Sequence, residues 1–158
     1  KGELLNADSI RFPDSLKFKT PKGKVVYGGG GIMPAHFVPI DTMTRSEYLN
    51  ELFYKGLINQ FAFDYTDKQR GVLEAGGIEK FKMEFKADDA LLKDLVSYAE
   101  KNGLEKNEDQ IRRSAPLIRI YLKASIARNV LGSDGFYPIY NTYDWAFLRA
   151  LKVLGAGN

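Results

Sequence analysis

Cysteine is absent from this chain of 158 residues, and histidine and tryptophan occur once each. Without cysteine there is no disulfide, no thiolate metal site and no cysteine nucleophile. His36 alone supplies neither the several histidines of a zinc site nor a Ser-His-Asp triad, since no Gly-x-Ser-x-Gly motif accompanies it. We therefore expect no catalytic residue, no metal and no cofactor in these residues, and a local hydrogen bond for His36.

Long apolar runs are absent as well. No segment approaches the roughly 18–20 consecutive apolar residues of a membrane-spanning helix. The N-terminal residues also lack the basic start and apolar stretch of a signal peptide. Because the chain begins at Lys1 rather than at Met, we expect a piece of a longer polypeptide. We predict no membrane span within it.

The chain has no large excess of one charge. Its 23 basic and 20 acidic residues give a net charge of +3, and the signs are interleaved. A nucleic-acid surface needs basic residues gathered on one face. The densest basic cluster is spread over several turns of one predicted helix, which favours a solvated helix face and no nucleic-acid partner. Its members are Arg112, Arg113, Arg119, Lys123 and Arg128.

The composition of the rest favours a globular domain with a clear internal boundary. Apolar residues make up 44% of the chain, which supplies a core and disfavours disorder. Glycine, proline and extended segments dominate up to Asp41, whereas helical patterns dominate after it. We therefore predict two parts, residues 1–41 and a helical domain of residues 42–158.

A β-hairpin is predicted over residues 16–27. Apolar and polar residues alternate from Ser15 to Thr20, which is typical of a half-buried strand. Pro21 and Gly23 then favour a turn, and the segment 24–27 returns as the second strand.

The hairpin is followed by a glycine-rich loop, residues 28–31. A phosphate-binding loop would open directly onto a helix. Here a proline follows soon after, and the residue before a proline is biased away from the helical conformation. We interpret the motif as a structural backbone feature at a strand end. It comprises Gly28, Gly29, Gly30, Gly31, Ile32 and Pro34.

About five helices are predicted after residue 41. A capping pattern of Thr44 with Glu47 starts the first helix, and Asp88, Asn107 and Asn141 start later ones. The expected extents are 44–55, 57–70, 88–103, 108–131 and 141 onward, with glycines as stops and a kink at Pro116. The predicted fold class is mainly α with a small N-terminal β-hairpin, or α+β overall.

Apolar stripes at helical spacing predict the buried faces of these helices. We expect Gly71, Gly76 and Gly77 to mark an irregular join. The stripes are Leu57, Ile58, Phe61, Phe63 and Tyr65 in the second helix; Ile111, Ala115, Ile118, Leu122 and Ile126 in the fourth; and Trp145, Leu148, Leu151 with Val153 or Leu154 in the last.

Some residue groups could suggest chemistry. Ser97 and Lys101 lie one helical turn apart, as in a Ser–Lys dyad, but Lys101 is next to an exposed helix end and the pairing is interpreted as chance. Asp88 and Asp89 suit a helix N-terminus. The aromatic residues of the last segment favour core and rim positions over a ligand box; they are Tyr137, Tyr140, Tyr143 and Trp145.

The segment from Ser15 to Pro34 resembles a stretch of the carboxyl-terminal processing proteases, the tail-specific serine peptidases of family S41, in their Bacteroidetes-type form. The similarity rests on Thr20-Pro-Lys-Gly-Lys-Val-Val-Tyr-Gly-Gly-Gly-Gly-Ile-Met-Pro34 and continues through Phe37–Asp41. Weaker similarity covers segments 79–85, 95–100 and 113–119. Ala35 departs from the aspartate that usually follows the proline in that family.

The resemblance implies a parent peptidase with a Ser–Lys dyad and a PDZ domain that recognises substrate C-termini. Both catalytic residues would precede residue 1, so none is assigned here. Residues 1–41 would be the end of the protease core. The implied partners are that core and, elsewhere in the parent, protein or peptide substrates; a homodimer is left open. The implied location is the cell envelope or periplasm. The alternative is a freestanding helical interaction module with no enzymatic parent.

Overall fold

The structure, a computed structural model, describes residues 14–23, 25–28 and 36–155. The chain divides into two compact units, residues 1–41 and residues 42–158. In the N-terminal unit a short 3-10 turn, Asp14–Leu16, leads into two antiparallel strands. The strands are β1 (Lys17–Lys19) and β2 (Val25–Tyr27).

A tight turn joins the two strands. The Gly23 N–H donates to the Thr20 carbonyl at 2.8 Å, and Gly23 has a φ of +78°, a conformation that a Cβ disfavours. The register pairs Phe18 with Val26. The predicted hairpin is confirmed.

The C-terminal unit is helical. In the described residues it contains α1 (Glu47–Tyr54), α2 (Leu57–Glu74), α3 (Gly77–Glu84), α4 (Asp89–Lys101), α5 (Glu108–Leu131), α6 (Ser133–Tyr140) and α7 (Trp145–Gly155). The fold class is therefore mainly α with a small N-terminal hairpin, as predicted.

Helix α5 is the centre of this unit. It contacts α1, α2, α3, α4 and α6, so it is covered from several directions. Its buried residues accordingly extend beyond one stripe. Of the predicted stripe, Ile111, Ile118, Leu122 and Ile126 are buried and Ala115 is half-buried. Ala124, Ala127 and the polar Ser114 and Ser125 are buried as well. Small side chains at these positions let neighbouring helices approach α5 closely.

Two of the helices were not predicted, so the expected number of five was too low. Gly71 lies inside α2 instead of ending it, and α3 begins only after Gly76, whose φ is +112°. Helix α6 contains both Gly135 and Pro138, residues that ordinarily disfavour a helix. Its packing against α5 overrides that local preference.

Helix caps were predicted with mixed success. Asp88 and Asn107 are the N-caps of α4 and α5, as predicted, each accepting from a backbone N–H in the first turn. Thr44 is wrong as a cap, because the side chain of Ser46 caps α1. Asn141 is also wrong, since it follows α6. Asp144 instead accepts from the Phe147 N–H at 3.0 Å at the start of α7.

Two predicted buried faces need correction. Phe63 of α2 is exposed, and Thr66 is buried instead, its hydroxyl donating to the Ala62 carbonyl at 2.7 Å. Helix α7 buries none of its residues, although its stripe was expected to face the core. Its leucines lie at the surface, and Leu151 and Leu154 are more than half exposed.

Candidate functional site

The glycine-rich motif begins where β2 ends. The Gly28 N–H donates to the Leu16 carbonyl at 2.8 Å, which extends the pairing of the hairpin. A Cβ at Gly28 would lie 3.1 Å from Cε2 of Phe18, so the absent side chain lets the aromatic ring lie close to the backbone. Gly29, Gly30, Gly31, Ile32 and Pro34 lie outside the described residues.

One face of the hairpin is apolar and exposed. Phe18 and Val26 are opposite each other in the register, so both project from the same face. Phe18 is 56% exposed and Val26 is 40% exposed. The described strands therefore present an exposed cross-strand apolar pair, a feature that proteins normally cover.

In the helical unit, α5 holds the chain segment that precedes α1. Arg113 donates from Nε to the Met43 carbonyl at 2.6 Å and from Nη2 to the Thr42 carbonyl at 2.7 Å. A guanidinium presents several donors in a fixed plane, which suits two neighbouring carbonyls. The first residues of the helical unit are thus fixed to its central helix.

Two further basic residues of α5 hold other junctions in the same way. Arg119 donates to the Ala87 carbonyl at 2.6 Å, just before α4, and also pairs with Asp89. Lys123 donates to the Lys82 carbonyl at 2.8 Å in α3. These residues were expected on a solvated face. They instead satisfy backbone carbonyls at element ends, which is one use of cationic side chains near such termini.

Lys123 is the described lysine that burial affects most clearly. Burial lowers its pKa, and the positive charges of Lys82 and Lys86 lower it further. Its ammonium lies 6.0 Å from the centre of the Phe81 ring. Sequence reasoning missed this environment because α3, which supplies Phe81 and Lys82, was not predicted.

A polar cluster ties the start of the helical unit to its last segment. Ser114 Oγ lies 2.7 Å from the Thr44 carbonyl oxygen and 2.7 Å from Ser46 Oγ. The Thr44 and Tyr143 hydroxyls are 2.6 Å apart. The backbone joint at residues 42–46 therefore contacts both α5 and the connection that leads into α7.

The buried serines do not have partners suited to nucleophilic chemistry. A catalytic serine needs a neighbouring group that accepts its proton. Ser125 Oγ lies 3.1 Å from the Asn59 amide oxygen. The partners of Ser114, a carbonyl and a hydroxyl, are equally poor bases. These contacts are those of structural hydrogen bonds.

The other sequence candidates are dispersed. Ser97 and Lys101 are both exposed on α4, and His36 is exposed in the N-terminal unit. Asp88 caps α4 while Asp89 pairs with Arg119. The aromatic candidates lie around α6 and α7: Tyr140 stacks on Phe136, and Tyr143 is 6.5 Å from Trp145, ring centre to ring centre.

A groove of about 590 Å³ lies between α4 and α5. Its floor includes Leu92, Val96 and Ile111, and its rim carries charges of both signs. At that rim Lys106 Nζ lies 2.9 Å from Glu108 Oε1. This hydrogen bond raises the pKa of Lys106 and lowers the pKa of Glu108. Within residues 14–23, 25–28 and 36–155, no three acidic, histidine or cysteine side chains group as a metal site.

The helices are also too short or too polar for a bilayer. Among the residues that the structure describes, none of the helices has the length and apolar character needed to cross a membrane.

Comparison with known families gives one match. A protein-family model described as "Family of unknown function (DUF8443)" matches residues 48–132, slightly more than half of the chain. The matched segment runs from the first turn of α1 to the glycine that ends α5, and therefore contains the central helix and its contacts. No curated protein and no solved structure matches the chain.

Proposed function

The chain belongs to the DUF8443 family of unknown function, and we propose that it is the non-catalytic C-terminal region of a serine-type C-terminal processing endopeptidase. In this proposal the catalytic serine and lysine precede residue 1, and the parent protein performs the proteolysis. The hairpin joins the sheet of the protease core, and the helical unit braces that core. The parent acts in the cell envelope.

The observation that carries this proposal is the exposed hairpin. A sheet of only two short strands is marginal in water, and its apolar pair, Phe18 and Val26, is exposed. The same strands lie in the segment whose sequence resembles the end of a peptidase core. A neighbouring strand or layer that the parent protein supplies would cover the apolar pair and would explain why this segment resembles the end of a peptidase core.

The architecture of the helical unit supports a bracing function. Arg113 and Ser114 of α5 hold residues 42–46 against the central helix. A load-transmitting or positioning domain needs its attachment point fixed to its core, because a loose joint would leave the domain free to reorient. Here these hydrogen bonds lie within the helical unit and fix its first residues to α5.

A peptidase assay tests the proposal. The complete polypeptide that contains this chain should hydrolyse a peptide with a free apolar C-terminus, and replacement of its upstream serine nucleophile by alanine should abolish that activity. The 158-residue chain alone should release no product. Hydrolysis by the chain alone that depends on a residue within it would contradict the proposal.

The alternative of a freestanding interaction module makes the opposite prediction. The family match lies wholly within the helical unit, which is what favours this alternative. In that case the complete polypeptide would show no serine-dependent hydrolysis, and the upstream sequence would contain neither a nucleophile segment nor a lysine segment of the peptidase type.

A further inference from the structure

Helix α7 is the element of the helical unit whose apolar surface the core leaves uncovered. None of its residues is buried. Leu151 and Leu154 are 51% and 73% exposed, and Trp145, Phe147 and Leu148 are exposed as well. A helix that is apolar around most of its circumference is normally covered. Its surface therefore indicates a contact with something outside the helical unit.

The charges of α7 have one sign and one location. Arg149 and Lys152 are its only charged residues. They follow Trp145 at positions i+4 and i+7, so all three side chains lie on one side of the helix. The aliphatic and aromatic residues occupy the rest of the circumference. The nearby Asp144 serves as the N-cap, its carboxylate accepting from the Phe147 N–H.

This arrangement matches the layers of a lipid surface. Tryptophan, arginine and lysine place their polar ends at the level of the headgroups, while leucine and phenylalanine enter the edge of the acyl region. The two cations complement an anionic surface. At about 1.5 Å per residue, α7 is far shorter than the roughly 30 Å of a bilayer core.

We propose that α7 is an interfacial anchor that lies on an anionic phospholipid membrane, with Arg149 and Lys152 at the headgroups and Leu148, Leu151 and Leu154 in the acyl region. The anchor is independent of the proposed peptidase function, because it depends only on the exposed face and charges of α7. It attaches the helical unit to a membrane without crossing it.

The single tryptophan makes the test direct. The 158-residue chain is titrated with vesicles of equal parts phosphatidylglycerol and phosphatidylcholine, and with vesicles of phosphatidylcholine alone, while Trp145 fluorescence is recorded. We expect a shift to shorter wavelength and increased emission on the anionic vesicles, and a much weaker response on the zwitterionic ones. Co-sedimentation with the vesicles gives an independent partition coefficient.

Paired variants separate the apolar and electrostatic contributions. Leu148→Glu with Leu151→Glu should lower the partition coefficient by about 100-fold or more, since two buried leucines are lost. Its control, Val72→Glu with Met83→Glu, makes the same charge change at exposed apolar sites on α2 and α3 and should retain binding.

Arg149→Gln with Lys152→Gln should lower binding to anionic vesicles by about 30-fold. Its control, Lys68→Gln with Lys93→Gln, should have little effect on binding.

The α7 variants should fold as the unaltered chain does, because α7 contributes no buried residue. Their thermal midpoints should equal that of the unaltered chain. Three results would overturn the proposal. One is no change in Trp145 emission at excess anionic lipid. Another is equal binding to both vesicle types. The third is a shift of Trp145 emission to shorter wavelength that occurs without lipid and grows with protein concentration, which would identify a second copy of the chain as the partner of α7.

Discussion

At the scale of single residues, Tyr48 is the clearest energetic conflict. Its ring is buried in the core of the helical unit, yet its hydroxyl has no hydrogen-bond partner among the described residues. Burial, assisted by the negative charge of Glu100, raises the pKa of Tyr48 to about 12. A buried hydroxyl without a partner lowers stability relative to an apolar group of the same shape.

Tyr48→Phe should therefore leave the free energy of unfolding at pH 7 unchanged or raise it by up to about 1 kcal/mol. Chemical denaturation at pH 7 measures this value. Tyr121→Phe is the comparison, because the Tyr121 hydroxyl has a hydrogen-bond partner, Tyr140, and this substitution removes that hydrogen bond. The Tyr121 ring itself contacts Phe53 edge to face. A clear loss of stability in Tyr48→Phe would show that the hydroxyl has a partner after all.

The same residue predicts an alkaline effect. Because the pKa of Tyr48 is higher in the folded state than the ordinary value of 10.0, the unfolded state loses its proton first as pH rises. Stability from this group is complete below pH 10 and declines between about pH 10 and 12. Tyr48→Phe should reduce this decline in stability. Part of the decline should remain in that variant, because burial also raises the pKa of Tyr121.

At the scale of elements, the basic residues of α5 act on junctions. Arg113→Ala removes both hydrogen bonds to the Thr42 and Met43 carbonyls and should speed trypsin cleavage after Arg45 several-fold, because local opening of that segment becomes easier. Arg112→Ala is the matched control, since Arg112 pairs with Asp109 within α5 itself. Equal cleavage rates in the two variants would contradict the assigned function of Arg113.

The α5–α6 contact makes a second prediction at this scale. A Cβ at Gly135 would lie 2.4 Å from the Ala127 carbonyl oxygen, a distance that requires the helices to move apart. Gly135→Ala should destabilise the helical unit by about 1–3 kcal/mol. Gly71→Ala, in α2 with no atom within 4 Å of its Cβ, should instead stabilise it by about 0.5–1 kcal/mol. Thermal unfolding of both variants checks the opposite signs.

Local chemistry predicted much of the element structure. Short-range preferences that the fold leaves intact account for the helix caps at Asp88 and Asn107, the hairpin turn at Gly23 and the main helix limits. Helix α6 escaped prediction because Gly135 and Pro138 disfavour a helix locally, and only contact with α5 reveals why the glycine is useful. Tertiary packing decided that segment.

The candidate site shows the same division. The sequence identified the glycine motif, and in the structure Gly28 lies against Phe18. The sequence also named Lys123 and Tyr143, but it could not identify their partners, because these come from distant segments. Periodicity also marked the apolar face of α7 without showing whether the core covers it. Burial depends on the neighbours of a helix as well as on its own pattern.

At the scale of the whole molecule, the helical unit should fold without the hairpin. Among residues 14–23, 25–28 and 36–155, all buried core residues lie between Ser46 and Ile139. A chain of residues 42–158 should therefore unfold cooperatively, with the thermal midpoint that the helical unit has in the 158-residue chain. Differential scanning calorimetry compares the two. A large drop in midpoint or a loss of cooperativity would show that residues 1–41 contribute to the core.

The exposed pair on the hairpin should matter only when the parent supplies its cover. In the 158-residue chain, Phe18→Ser with Val26→Ser should leave the unfolding of the helical unit unchanged. In the complete polypeptide, where we propose that a peptidase sheet covers the pair, the same change should destabilise that sheet, because burial of each side chain contributes about 1.5–3 kcal/mol. Lys17→Ser with Lys19→Ser, on the opposite face of β1, is the matched control.

The rate of peptide hydrolysis by these complete polypeptides tests the account most directly. We expect the Phe18 and Val26 double variant to lose activity several-fold, while the Lys17 and Lys19 double variant retains it. Equal hydrolysis by both variants, or no serine-dependent hydrolysis by the unaltered polypeptide, would contradict the proposal that this chain is the C-terminal region of a peptidase and that its hairpin joins the protease core.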